Sequence, residues 1–413
     1  EIVQSISSKK ISQVFLQKEM DSLENVYNIK CKKEKIYMDN MKKAANKRQV
    51  ILMITDFCNL NCAYCYEQKK GHSFMKRDVA TYILQQEIKG LKGDTRTQKI
   101  EFAYLGGEPL LNFSLIRTLS EWIWQQEMPV PYELTVRTNG TLLTKEMKDW
   151  FAKNREHIQV GLSMDGFSTM NRLNRTDDRI DWQFFQHNWP KNRVRIVLFK
   201  DTVHLLAETV REMNKANLCF EIVIGEGFFW DSESAGILER ELLSLVEDYL
   251  ENPKEGKENG LFSFQIGDYF TDYPMKEVMF CGETNKNIIA YDTDGSPCIC
   301  HMFSTPTIGA EKARWSWINL QKVKKLPFDP VCRKCPVHKN CKSCFGINMS
   351  LYGDIYRSAA RKTICKAIKA KARAGAFFYL KRMERRIEQQ KTLTAEEVLY
   401  ANKAVHILEK LSY

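Results

Sequence analysis

Apolar residues gather into six short runs along the first half of the chain, at 49–55, 99–105, 133–138, 158–163, 193–199 and 219–224, each rich in β-branched and aromatic residues. Runs of this length and composition read as strands. Between them the apolar period lengthens: Leu205, Leu206, Val210 and Met213 place a stripe along one side of a helix over 205–217. Strands alternating with helices imply parallel βαβ units and an α/β fold. Six units fall short of the eight that close a barrel, so an incomplete, TIM-like (β/α)6 barrel is expected. The alternation lapses from about 225 to 279, where 241–250 has the pattern of an amphipathic helix and 251–259, with Pro253 and Gly256, that of a charged surface connection. Beyond Cys365 come long helical stretches rich in Lys and Arg, broken at 391–394, and the stretch before Lys47 is also helical in pattern. The expected organisation is an N-terminal helical extension (1–46), a partial barrel (47–230), a bridging region (231–278), a small cysteine-rich domain (279–365) and a C-terminal helical region (366–413). No internal repeat is visible.

A chain of 413 residues with 44% hydrophobic content can bury a sizeable core and is expected to form more than one domain. No basic start followed by an apolar run and no long uninterrupted apolar segment is present, which argues against secretion and membrane spanning and for a cytoplasmic protein. Thirteen cysteines without a secretory signal point to metal rather than to a disulfide framework. The net charge of +11 favours anionic partners, such as an acidic peptide segment or nucleic acid, or describes only a solvated cationic surface.

The run Cys58-Asn59-Leu60-Asn61-Cys62-Ala63-Tyr64-Cys65-Tyr66 offers three thiolates in C-x3-C-x2-C spacing and no fourth. Four thiolates close a 4Fe-4S cluster, so a local set of three leaves one iron for a distant cysteine or an exogenous ligand. A zinc knuckle or three buried cysteines is the alternative, although zinc sites favour paired C-x2-C spacings. The run resembles the signature of the radical S-adenosylmethionine (SAM) enzymes. The resemblance implies that Cys58, Cys62 and Cys65 hold a 4Fe-4S cluster whose unique iron is chelated by SAM, and that one-electron cleavage of SAM yields a radical that takes a hydrogen atom from a substrate. Leu105-Gly106-Gly107-Glu108-Pro109 after the second strand resembles that family's GGE element, which implies contact of Gly106, Gly107 and Glu108 with the SAM amino group. Ser163-Met164-Asp165-Gly166 and a downstream arginine resemble the peptide-modifying branch. They imply that Ser163 and Arg175 help bind the SAM carboxylate or ribose, with Arg172 as a competitor; Asp165-Gly166 by itself reads as an ordinary turn. Thr138-Asn139-Gly140 at the end of the third strand reads as turn chemistry, with facing the SAM pocket as the alternative.

A second constellation runs Cys281, Gly295, Cys300, Cys332-x2-Cys335-x5-Cys341-x2-Cys344 and Cys365. It resembles the SPASM domain, an auxiliary-cluster module behind radical SAM cores, with x2 between Cys341 and Cys344 where the family usually has x3. By resemblance, Cys332, Cys335, Cys341 and Cys365 ligate an outer cluster, while Cys281, Cys300 and Cys344 belong to an inner one. Cys298 either supplies the inner cluster's fourth thiolate or leaves an open iron. The implied cofactors are three 4Fe-4S clusters and SAM; two structural zinc sites are the alternative for the second constellation. Cys31 and Cys219 remain as structural thiols, and His301 and His338 read as polar neighbours rather than ligands. Asp292 and Asp294 before Gly295 read as a hairpin turn, and no catalytic base is assigned.

The resemblance as a whole implies a maturase that abstracts hydrogen from a ribosomally made precursor peptide and forms a thioether or carbon-carbon cross-link. An external electron donor such as flavodoxin or ferredoxin would serve it. The stretch before the barrel is too short for a winged-helix leader-binding module, so leader recognition falls to a separate protein or to the basic residues Lys366, Lys369, Lys371, Arg373, Lys381, Arg382, Arg385 and Arg386. A solvated helix face explains that charge equally well. Alternatives are a protein maturase that converts a sulfatase cysteine or serine to formylglycine, and an iron-sulfur regulator binding nucleic acid. No helix-turn-helix or similar module supports the latter.

Overall fold

The computed structural model describes residues 46–252 apart from 168 and 178, then 287–320, 332, 335–337, 344–355 and 363–411. The expected N-terminal extension, the connection at 253–259, Cys31, Cys281, Cys341 and His338 lie outside the described residues.

All six expected strands form, each within two residues of its apolar run. Element order is β1 (Lys47–Thr55), α1 (Arg77–Leu91), β2 (Lys99–Gly106), α2 (Phe113–Trp124), β3 (Tyr132–Thr138), α3 (Lys145–Lys153), β4 (Gln159–Leu162), α4 (Thr169–Arg175), α5 (Trp182–Asn188), β5 (Val194–Leu198), α6 (Leu206–Lys215) and β6 (Phe220–Ile224). There follow α7 (Ser232–Ser244), α8 (Val246–Glu251), β7 (Ile288–Tyr291), β8 (Pro297–Cys298), α9 (Thr305–Ile308), α10 (Ala310–Leu320), α11 (Phe345–Tyr352), α12 (Cys365–Glu388) and α13 (Ala395–Lys410).

Strands β1 to β4 pair in parallel and in sequence. The parallel pair β5–β6 joins them through a single bridge between Ser163 and Arg195. The result is an open, curved α/β sheet of six parallel strands. On its other edge, β7 pairs in parallel with β1 and turns back through Asp292–Gly295 into antiparallel β8. The hairpin expected at Asp292 and Asp294 is therefore built onto the barrel sheet, with Gly295 at φ +86° and its N–H donating to the Asp292 carbonyl at 2.9 Å.

Burial explains the strand patterns. In β3 and β5, Leu134, Val136, Val194, Ile196 and Leu198 are buried on one face while alternate residues stay half-exposed on the other, as one-sided packing requires. In β1 every residue from Val50 to Thr55 is buried, because helices cover one face and the cysteine-rich segment the other. Val50, Leu52 and Ile54 pack with the helices, whereas Ile51, Met53 and Ala103 pack with Ala290, Cys298, Cys300, Phe303, Phe345 and Met349.

The helix expected at 241–250 is two helices, α7 and α8, meeting at Leu245. The Asp231 carboxylate caps the start of α7 by accepting from the Ser234 N–H at 2.7 Å, a signal that the apolar period alone does not carry. The break at 391–394 ends in a capping box, with Thr394 and Glu397 bonded reciprocally at the start of α13. Much of the basic C-terminal charge is paired inward. Arg373 meets Glu239 at 3.0 Å and donates to the Leu408 and Leu411 carbonyls, Arg386 meets Glu397 at 2.7 Å, and Arg385 pairs with Glu247. No helix among the described residues is long and apolar enough to cross a membrane.

Candidate functional site

The three-cysteine loop leaves the C-terminal end of β1 and lies across the mouth of the sheet, held from below by the GGE element. Gly107 N–H donates to the Thr55 carbonyl and Glu108 N–H to the Phe57 carbonyl, both at 2.9 Å. A Cβ on Gly106 would collide with the Thr55 carbonyl oxygen, one on Gly107 with the Phe57 carbonyl oxygen, and Gly106 stands at φ +148°. The two glycines therefore admit the loop's own backbone.

Glu108 is buried with three donors on its carboxylate: Leu110 N–H at 3.1 Å, the Thr138 hydroxyl at 2.6 Å and Asn139 N–H at 2.8 Å. It brackets the ends of β2 and β3. Burial pushes its carboxyl up to about 7, against three hydrogen bonds that favour the charge. Asn139, read from sequence as turn chemistry, also donates from its amide to Asn59 Oδ1 at 3.0 Å and so ties β3 to the cysteine loop.

On the far side the loop is anchored at Asp165, which is fully buried. Asp165 accepts from Arg175 Nε at 3.0 Å and Nη2 at 3.3 Å, from Asn174 at 3.2 Å, from Val197 N–H at 2.8 Å and from the Tyr64 hydroxyl between Cys62 and Cys65. Arg175 also lies over the Tyr64 ring, 5.4 Å from its centre, and Ala63 N–H donates to the Asn174 carbonyl at 2.9 Å. The buried arginine is Arg175; Arg172 is exposed. Two of the Arg175 guanidinium donors are committed to Asp165. Ser163 sits at the end of β4, its N–H donating to the Thr138 carbonyl at 2.9 Å.

Cys58, Cys62 and Cys65 are each partly exposed. Among the described residues no three His, Cys, Asp or Glu side chains stand as a ready metal cage. Cys58 Sγ accepts from Leu60 N–H at 3.4 Å and the Cys65 thiol donates to the Glu67 carbonyl at 3.9 Å. Burial raises all three, Cys58 to about 11, and a bound metal would displace their protons. Lys70 stands within electrostatic reach of all three sulfurs, with its ammonium on the Leu60 carbonyl at 3.1 Å, and Arg175 within reach of Cys62. Three thiols on one short loop, two cations near them, and orphaned buried atoms on Glu67 (Oε1) and His301 (Nδ1) fit an anionic cluster with a polar ligand.

The second cysteine set is built differently. Cys298 and Cys300 are buried on and just beyond β8. The Cys298 thiol donates to Asp292 Oδ2 at 3.3 Å, and the same carboxylate accepts from the Thr305 hydroxyl at 2.7 Å. Burial, with this carboxylate beside it, pushes the Cys298 thiol well up. Cys344 caps the start of α11, Cys365 starts α12, and Cys335 N–H donates to the Cys332 carbonyl at 3.1 Å. The two sets approach each other where Tyr66 packs edge-on against His301, ring centres 5.9 Å apart, and where Lys69 bonds the Pro306 and Ile308 carbonyls at 2.8 and 2.9 Å.

Sequence reasoning missed Tyr64, Asp165 and Asn59 as the loop's anchors. The signal was an acid at the end of the fourth strand with an arginine ten residues on, one ion pair across a tight turn.

A family model described as the radical SAM superfamily matches residues 52–230. The chain is 27% identical over 163 residues to the radical SAM cyclopropyl synthase TigE of Paramaledivibacter caminithermalis, covering 36% of this chain and 33% of that protein. It is 28% identical over 131 residues to the cysteine-type anaerobic sulfatase-maturating enzyme of Clostridium perfringens, covering 29% of this chain and 33% of that protein. The chain thus spans between 33% and 40% of the length of the first curated relatives it matches. The solved structure of native anSMEcpe with bound AdoMet and Cp18Cys peptide shares the fold with a TM-score of 0.56 at 17% identity, over 83% of this chain and 99% of that one.

Proposed function

From the premise that residues 52–230 are a radical SAM superfamily domain, whose fold implies SAM and a 4Fe-4S cluster, we propose that this protein is a peptide maturase. It would abstract a hydrogen atom from a residue of a ribosomally made precursor peptide and close a thioether or carbon-carbon cross-link by net two-electron oxidation. The observation that carries the reading is the meeting of two cysteine sets across one concave sheet face, joined at Tyr66 and His301.

Cys58, Cys62 and Cys65 would hold the first cluster. Cys332, Cys335, Cys341 and Cys365 would hold an outer auxiliary cluster, and Cys281, Cys300 and Cys344, with or without Cys298, an inner one. Bound SAM and clusters supply one-electron cleavage, a hydrogen-abstracting radical and a sink for the surplus electron. The chain's own residues do the positioning. Tyr64, Asp165 and Arg175 fix one side of the cysteine loop, Gly106, Gly107 and Glu108 its base, and Asn59 with Asn139 its third tie. Asp165 pairs with Arg175, whose remaining donors would bind, with Ser163, the carboxylate or a ribose hydroxyl of SAM. The reduced donor would be a flavodoxin or ferredoxin, and the inward pairing of the C-terminal arginines favours a separate leader-binding protein.

The test is anaerobic: reconstitute iron and sulfide, add SAM, reductant and a candidate precursor, and follow 5'-deoxyadenosine and peptide mass. Deoxyadenosine with a peptide lighter by two hydrogens is expected. Its absence under active reducing conditions overturns the reading. A second reading, a sulfatase-type protein maturase, draws on the 28% identity to the cysteine-type enzyme. Turnover of a sulfatase cysteine or serine peptide, without turnover of any cross-linkable precursor, would select it.

A further inference from the structure

Strands β3 to β6 put Arg137, Gly161, Arg195 and Glu221 on the sheet face turned away from the helices. Arg137 is in register with Gly161, Arg195 with Glu221, and Ser163 bridges to Arg195. A Cβ on Gly161 would stand 3.1–3.3 Å from the guanidinium carbon and terminal nitrogens of Arg137, so glycine lets that guanidinium lie flat over β4. Arg195 has its acceptor, Glu221, at 2.8 Å. Glu101, the other carboxylate within electrostatic reach of Arg137, is taken by Lys47 at 2.7 Å and by the Thr135 hydroxyl at 2.8 Å. Arg137 Nη1 is buried with no acceptor, and among the described residues no carboxylate pairs with Arg137.

Burial and the positive charge of Arg195 pull the Arg137 guanidinium down to about 10, still protonated at neutral pH. Two guanidinium groups therefore stand near one carboxylate, Glu221, which pairs with Arg195, and Tyr66, which follows the last cysteine of the loop, and His301 lie within electrostatic reach. Arg137 is half-exposed as a residue, but its Nη1 is shut from solvent without an acceptor, which is costly, and a planar guanidinium matches a carboxylate with two parallel hydrogen bonds.

We propose that Arg137, backed by Arg195, receives a carboxylate of the peptide substrate, carried by an acidic side chain or by the peptide C-terminus. This rests on the peptide-maturase reading. Arg137 is a specificity and positioning residue here, setting which peptide position lies under the cysteine loop.

The test uses the reconstituted enzyme with SAM and three probes: the blocked pentapeptide Gly-Gly-Glu-Gly-Gly, its Gln counterpart, and the Gln peptide with an unblocked C-terminal carboxylate. Calorimetric affinity is measured at low and high salt. One or both acids should bind about tenfold or more tighter than the blocked Gln peptide, the preference shrinking with salt, and the tighter acid names the source. Arg137→Gln should abolish the preference and leave the SAM affinity within about twofold. Arg137→Lys keeps the charge without the fork and should retain part of the preference, so it decides the matter if the Gln variant fails to take up iron. Equal binding of acids and amide, or a preference unchanged in Arg137→Gln, overturns the site. A tenfold loss of SAM affinity in that variant also overturns it, since Arg137 would then serve SAM. Deoxyadenosine formation by the wild type, measured alongside, judges the radical SAM reading separately from the carboxylate site.

Discussion

Cys58, Cys62 and Cys65 stand partly exposed on a loop fastened by polar ties, while Cys298 and Cys300 are sealed in an apolar core with Ile51, Met53, Phe303 and Phe345. Both regions present cysteines, yet the first is positioned by hydrogen bonds and ion pairs and the second by packing. The loop can let its thiols turn without disturbing a core, whereas any movement at Cys298 or Cys300 must be shared with the strand face they cover. Perturbations should therefore separate the two, polar changes acting on the loop and volume changes on the hairpin.

The largest effect is expected at Asp165. Asp165→Ala strands the buried Arg175 charge and unties Tyr64, which should cost about 3–5 kcal/mol in urea unfolding and lower iron uptake by the loop. A loss below about 1 kcal/mol would show that the hub is not what fastens the loop. Gly107→Ala drives a methyl into the Phe57 carbonyl and should cost about 1–3 kcal/mol with reduced iron uptake. Gly90→Ala, in α1 with open space around it, should instead stabilise by about 0.5–1 kcal/mol. Equal outcomes for the two glycines would remove the close approach as the reason for the GGE pair.

Two buried carboxyls, Glu67 and Glu108, and a half-buried one, Glu226, give the comparison a pH axis. Burial raises Glu67 to about 8 and both Glu108 and Glu226 to about 7, above their unfolded value, so the folded state holds the extra protons. Their stabilisation is full below about pH 4.5, falls as pH rises from there, and is wholly lost once pH has passed through the raised values of 7 to 8. His301, lowered to about 4 by burial, acts in the opposite sense but only below about 6.5. The cluster-free protein should therefore lose about 1–2 kcal/mol between pH 6.5 and 8, and Glu226→Gln should flatten part of that slope. A flat or rising stability profile across this window refutes the assignment. The smallest effects contrast the thiols themselves: Cys298→Ala should cost about 1 kcal/mol in the cluster-free protein, and Cys65→Ala less than about 0.5 kcal/mol. For holding iron the ranking should reverse, with Cys65→Ala abolishing the loop's uptake.

The six strands were legible because their apolar runs carry a period that belongs to strands alone in this setting, and each formed within two residues of its run. The cysteine loop and GGE element were legible as chemistry but not as mechanics: that Gly106 and Gly107 admit the loop's backbone depends on β1 and β2 lying side by side. Asp165 was hidden because Asp-Gly at a strand end is common turn chemistry, and only the curl of α4 brings Arg175 back onto it. The basic stretch after Cys365 read as a patch since its partners Glu239 and Glu247 lie far back in the sequence. Arg137 was silent for a related reason, as an arginine in a strand signals nothing until the register shows which neighbours answer it.

The pairing of β7 with β1 also sets an order of events during synthesis. Val50 finds its neighbour Ile289 only after most of the chain has emerged, so the first of the six parallel strands is among the last to gain both partners. Until then its outer edge and the faces of Ile51, Met53 and Ala103 stay open, a contact of high sequence separation that slows folding and invites association between nascent chains. A fragment ending before the hairpin would keep six parallel strands and expose that edge permanently, which predicts aggregation of the isolated barrel and makes the cysteine-rich segment its intramolecular chaperone.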